Sequence, residues 1–149
     1  MACGRLIGRA TPANRPMKKI ASMGRGGTGK TTFIALLTKY FIEVGETPLL
    51  LVDVDPDQSL GDMVGVDLEE AGKKTVTELL YEVFMEEGEG GGSLVGLPPS
   101  ERIENAIWEE GLYEGDDFDF MAVGTKYTEG CYCMPDAALK GALDRITKN

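Results

Sequence analysis

Histidine is missing from all 149 residues of the chain. That one absence removes Ser-His-Asp triads, histidine general bases and histidine-ligated zinc. Cysteine is scarce, with three residues at Cys3, Cys131 and Cys133. Three thiols, one of them isolated, make no disulfide framework, so a cytoplasmic location is expected. No stretch approaches the ~20 consecutive apolar residues that span a bilayer, and no membrane partner is expected. The opening MACGRLIGRATPANRP carries three arginines but no continuous apolar core, which makes it a poor secretory signal.

What is present fits one ordinary globular domain, since 42% of the residues are hydrophobic. The net charge of −10 is divided unevenly along the chain. Residues 1–50 hold eight Lys/Arg against two Asp/Glu, whereas residues 51–130 hold four against twenty-one. The basic part is centred on a glycine loop, and the acidic part repels phosphate backbones, so nucleic acid is not an expected partner.

Residues 1–16 contain two prolines and no periodicity, and read as a disordered leader or a start-site artefact. The domain is expected over residues 17–149. Met17–Met23 reads as a short strand running into GRGGTGKTT. Apolar residues then recur at Phe33, Ile34, Leu37, Tyr40, Phe41 and Val44, predicting an amphipathic helix stopped by Gly45. Pro48 opens LLLVDVD, an unbroken apolar run suited to a parallel strand covered on both faces. Strand, loop, helix and strand make a βαβ unit and predict an α/β domain. Thr75 and Glu78 have the spacing of a capping box for the next helix. Gly88–Ser93 reads as a surface loop, Ser100 as the cap of a helix through Ile103, Ile107 and Leu112, and Phe118–Val123 as a third strand. Pro135 starts a last helix bearing Leu139, Leu143 and Ile146.

Gly24-Arg25-Gly26-Gly27-Thr28-Gly29-Lys30-Thr31 fits G-x-x-x-x-G-K-[ST] between a predicted strand and a predicted helix, the context the motif requires. Glycines let successive N–H groups wrap a phosphate at a helix start. Lys30 is expected to bridge the outer phosphates of ATP, and the Thr31 hydroxyl to ligate Mg²⁺. The residues expected to contact the nucleotide are Gly24, Arg25, Gly26, Gly27, Thr28, Gly29, Lys30, Thr31 and Thr32.

The loop resembles the deviant phosphate loop of the MinD/ParA group of ATPases, GKGGxGKT, with Arg25 at the position of the group's extra lysine. The resemblance implies a three-layer P-loop NTPase with a mostly parallel sheet, and a nucleotide-dependent homodimer in which that basic residue reaches the partner's nucleotide. Arginine keeps the charge and can grip phosphate with two donors. Asp53, Asp55 and Asp57 alternate at the end of LLLVDVD, and tend to share a face if the extended form continues. Two readings stand. LLLVD is a Walker B strand with Asp53 holding Mg²⁺, or DVDPDQS resembles the first switch of the group, with Asp55 orienting the attacking water or touching the Mg²⁺ shell. In that group the Walker B strand comes later, so the chain reads as the N-terminal part of a longer protein.

Cys131 and Cys133, in GCYCMPDAAL, are half of a tetrahedral zinc site, and a two-fold dimer can supply the other half. Thiolates also accept Ni²⁺. A pair of small half-buried residues on a loop is the alternative. The order of GRGGTGKTT, DVDPD, a strand ending in VG, and GCYC resembles the ATPases that mature carbon monoxide dehydrogenase by assisting nickel insertion. That resemblance implies Cys131 and Cys133 as metal ligands between subunits, Zn²⁺ or Ni²⁺ as the metal, and the nickel enzyme as client. The alternatives are a partition or positioning ATPase acting on DNA or membrane, and an iron–sulfur reductase with cysteines across a dimer axis.

Overall fold

A computed structural model describes residues 18–88, 99–125 and 140. The elements in chain order are α1 (Lys30–Glu43), β1 (Leu49–Asp53), α2 (Ser59–Val64), α3 (Val76–Gly88), α4 (Pro99–Ala106), a π turn (Ile107–Gly111), β2 (Tyr113–Glu114) and β3 (Phe118–Ala122). The leader, most of the Gly88–Ser93 loop, both cysteines of GCYC and the helix expected from Pro135 lie outside the described residues.

Among the described residues, β3 is the middle strand of a three-stranded sheet in the order β1-β3-β2. Its alternating side chains divide the core in two. Phe120 and Ala122 pack with Leu51, Leu60 and Val66, against which Ile34 and Ala35 of α1 are laid. Met121 and Val123 pack with Val76, Leu79, Leu80, Ile103 and Ile107. Period-two alternation puts these sets on opposite faces, so α1 and α2 cover one side of the strand and α3 and α4 the other. This is the layered α/β arrangement expected of the sequence.

Among the described strands the sheet is mixed rather than mostly parallel. β1 pairs parallel to β3, in register from Leu49 opposite Phe118 to Asp53 opposite Ala122. β2 pairs antiparallel to β3. The hairpin turns at Glu114-Gly115-Asp116-Asp117, where the Gly115 N–H donates to the Phe118 carbonyl at 3.0 Å. A two-residue strand is too short to announce itself by alternation, and β2 was not expected from the sequence.

Residues 18–23, expected as a strand, form none. Ile20 is 55% and Met23 89% exposed. Three apolar residues between two lysines and a glycine loop bury too little to support a ladder on both faces. The helix expected after Ser100 also differs. It starts at Pro99, whose missing N–H costs nothing at the first helical position, so Ser100 lies inside it rather than capping it. It ends in a π turn that buries Ile107 and Gly111, after which Leu112 is already extended. A methyl group on Gly111 would stand 3.1 Å from Leu79 Cδ1, so the turn fits closely under α3.

Two helix signals appear as expected. Gly45, at φ 74°, ends α1, and the Gly45 N–H bonds the Ile42 carbonyl while the Glu46 N–H bonds that of Phe41. This is the paired pattern of a glycine-closed helix end. At the start of α3 the Thr75 N–H donates to Glu78 Oε2 at 2.7 Å and the Glu78 N–H to Thr75 Oγ1 at 3.3 Å, a complete capping box. The apolar residues of α1 divide differently from expectation. Ile34, Leu37 and Phe41 are half-buried, while Phe33, Leu36, Tyr40 and Val44 form a second stripe, each at least half exposed. The helix is apolar on two faces, and α2 with the sheet covers one.

Candidate phosphate-loop site

The glycine loop leads straight into α1. Gly27 and Gly29 have φ of 74° and 80°, a region that residues with a Cβ rarely occupy. Gly29 is the residue before the first helical turn, so the left-handed step there aims the loop back over the helix start. A methyl group at Gly26 or Gly27 would meet no atom within 4 Å, so this backbone is open to approach from outside.

The loop is held by one carbonyl. Arg25 O accepts the Thr28 hydroxyl at 2.8 Å and the Lys30 ammonium at 3.1 Å. Lys30 therefore folds back towards the glycine loop, with its ammonium on the Arg25 carbonyl. The Arg25 side chain is exposed. The part of Arg25 that closes the loop is its main chain. Thr31 and Thr32 follow in the first turn of α1, Thr31 half-buried and Thr32 exposed.

The Thr31 hydroxyl lies 3.2 Å from the hydroxyl of Ser59, 28 positions later. Ser59 opens α2, which packs on α1. Nothing in the spacing of GRGGTGKTT singles out Ser59. The available signal was its place at a helix start directly after a turn-rich DPDQ segment.

The acidic segment does not continue as a strand. β1 stops at Asp53, and the chain turns, with the Gln58 N–H donating to the Asp55 carbonyl at 3.0 Å. Gln58 takes φ 49°, the left-handed region, without being glycine. The three carboxylates therefore do not line one strand face. Asp53 is buried, and its Oδ1 accepts the Asp55 N–H while its Oδ2 accepts the Leu60 N–H, both at 3.0 Å. Its carbonyl accepts the Val123 N–H at 2.8 Å. Asp55 is half-buried and accepts the Asp57 N–H at 3.2 Å; Asp57 is exposed. The short Asp-x-amide bonds make a turn that a period-two reading could not see.

Hydroxyl and carboxylate oxygens suit Mg²⁺, a hard cation. The structure brings two such oxygens together, the hydroxyls of Thr31 and Ser59, and their chemistry fits that ion. Among the described residues no group of three or more His, Cys, Asp or Glu side chains is placed to hold a metal. Cys131 and Cys133 are outside those residues.

A shallow depression of about 230 Å³ lies elsewhere, lined by Lys74, Glu78, Tyr81 and Glu82. Its polar groups are already engaged. The Lys74 ammonium donates to Glu82 Oε2 at 2.7 Å and Glu110 Oε2 at 3.0 Å, and these bonds, that to Glu82 first, push its pKa above the ordinary lysine range. The glycine loop, by contrast, is an open ledge rather than a hollow. Among the described residues no helix is long and apolar enough to cross a membrane.

No family model matches the chain, and no solved structure matches it. Two proteins of Methanocaldococcus jannaschii do. One, named as an uncharacterized ATP-binding protein, is 32% identical over 132 residues, which cover 87% of this chain and 49% of that protein. The other carries the same description and is 30% identical over 136 residues, 86% of this chain and 52% of its own length. The chain spans about half the length of the curated relatives it matches.

Proposed function

We propose that the protein binds ATP with Mg²⁺ and hydrolyses it as a nucleotide-dependent homodimer, and that hydrolysis serves nickel insertion into carbon monoxide dehydrogenase. The observation that carries the nucleotide part is the loop geometry: Lys30 and Thr28 both close onto the Arg25 carbonyl at the start of α1. The ATP-binding descriptions of the two relatives support it. In this reading the N–H groups of Gly26 to Thr32 receive the phosphates, and Lys30 turns from the Arg25 carbonyl to the outer phosphates. Mg²⁺, when bound, neutralises charge that develops on the phosphate oxygens. Thr31 offers it a hydroxyl, and Asp55 orients the attacking water or touches the Mg²⁺ shell. Arg25 reaches the nucleotide of the second subunit, which its exposure permits.

The metal part rests on sequence order alone. Cys131 and Cys133 of two chains form a shared four-thiolate site for Zn²⁺ or Ni²⁺, and the nickel enzyme is the client. The test is metal analysis and mass in solution, with and without ATP. One ion per two chains is expected, lost in Cys131→Ser and Cys133→Ser with ATP binding kept. Metal that survives loss of both thiols overturns the client assignment and leaves the nucleotide reading standing. ATP-dependent association with liposomes or DNA that ignores the cysteines would favour a positioning ATPase.

A further inference from the structure

Thr31 and Ser59 come from segments 28 positions apart, yet their hydroxyl oxygens stand 3.2 Å from one another. Adjacent ligands of an octahedral Mg²⁺, each ~2.1 Å from the ion, are ~3.0 Å apart. The two hydroxyls are therefore already spaced, within a few tenths of an ångström, as neighbouring corners of one coordination shell. Each hydroxyl has one proton and two lone pairs, so the bond between them leaves lone pairs free on both.

The position of Ser59 is imposed by its neighbours. The next residue, Leu60, donates its N–H to the buried Asp53 carboxylate at 3.0 Å. The preceding one, Gln58, is held at φ 49°, a conformation non-glycine residues seldom keep unless the surroundings enforce it. A hydroxyl needed only to dock α2 on α1 requires neither restraint, since Leu60 is already buried in the core below.

We infer that Ser59 is a second protein ligand, beside Thr31, to the cation that accompanies the bound nucleotide. The inference rests on the nucleotide reading above. Thr31 and Ser59 would each offer the ion a hydroxyl oxygen, so α1 and α2 would both contribute to holding it. The phosphate loop and the turn carrying Asp55 then respond to one event.

The experiment uses the whole chain with a fluorescent ATP analogue. Nucleotide affinity is measured in EDTA, and Mn²⁺ binding to the nucleotide-loaded protein is followed by electron paramagnetic resonance. Ser59→Ala should weaken Mn²⁺ binding about tenfold, the scale of losing one part of a coordination sphere. Nucleotide affinity in EDTA should stay within about twofold, and Ser59→Thr should restore most of the Mn²⁺ affinity. Ser59→Cys, nearly the same size but with a soft donor, should lose Mn²⁺ as alanine does and serves if the alanine variant does not fold. Unchanged Mn²⁺ affinity in both Ser59→Ala and Ser59→Cys overturns the inference, as does an equal loss in EDTA, which would mark Ser59 as a docking residue. Failure of the unmodified chain to bind the analogue at all overturns the nucleotide reading, and this inference with it.

Discussion

Gly124 stands directly against Thr75: a Cβ built on the glycine would lie 2.5 Å from the threonine hydroxyl oxygen and 2.7 Å from its Cβ. The Thr77 N–H and hydroxyl both donate to the Val123 carbonyl, at 2.9 and 2.7 Å. The end of β3 is thus pressed onto the start of α3. Gly124 also holds φ 86°. Replacing it with alanine combines a left-handed backbone with a collision against a buried side chain. Gly124→Ala should lower stability by about 2–4 kcal/mol. Chemical denaturation checks this, and a loss under about 1 kcal/mol would show that the contact yields easily.

The capping box gives a smaller, separate effect. Glu78 Oε2 accepts both the Thr75 N–H and the Thr75 hydroxyl. Glu78→Ala removes that acceptor and should cost about 1 kcal/mol. Glu78→Gln, which keeps an acceptor oxygen, should recover part of it. Equal losses for the two variants would mean that charge, not the reciprocal bond, matters.

The uncovered stripe of α1 makes a prediction in solution. Phe33, Leu36, Tyr40 and Val44 are 56%, 64%, 56% and 50% exposed, at a spacing that aligns them along one side of the helix. The chain should bind a hydrophobic dye and associate as its concentration rises. Leu36→Lys with Tyr40→Lys should reduce both without lowering the melting temperature. Dye binding unchanged in that double variant would place the sticky surface elsewhere.

Lys74 gives a pH test. Its bonds to Glu82 and Glu110 raise its folded pKa above the unfolded value of 10.5. The protonated lysine therefore favours the folded state in full below that unfolded value, and the benefit is lost only as pH rises through the folded one. Lys74→Met should lower the melting temperature by the same amount at pH ~6 and pH ~8. The difference should shrink in high salt, because both partners are solvent-exposed. A gap that widens between those two pH values would contradict this.

Much of this was legible in particular residues. Gly45 and Thr75–Glu78 act through neighbours within a few positions, and the runs LLLVD and FDFMA are apolar enough to suit a strand covered on both faces. The strand expected at residues 18–23 failed because a strand's existence depends on which edge receives it. β2 escaped notice because two residues carry no period. Of the site, the glycine loop and Lys30 were readable from a motif, and the Thr31–Ser59 contact was not, since it forms only when α1 and α2 meet. Arg25 shows the same limit at short range, because a sequence displays a side chain and hides what its carbonyl does.

The buried Asp53 carboxylate has a kinetic consequence. Because one side chain accepts the amides of both Asp55 and Leu60, those two N–H groups share a single source of protection. Rotating that carboxylate away exposes both at once. The amides of Asp55 and Leu60 should therefore exchange with a common opening rate, as two leaves on one hinge, although five positions separate them.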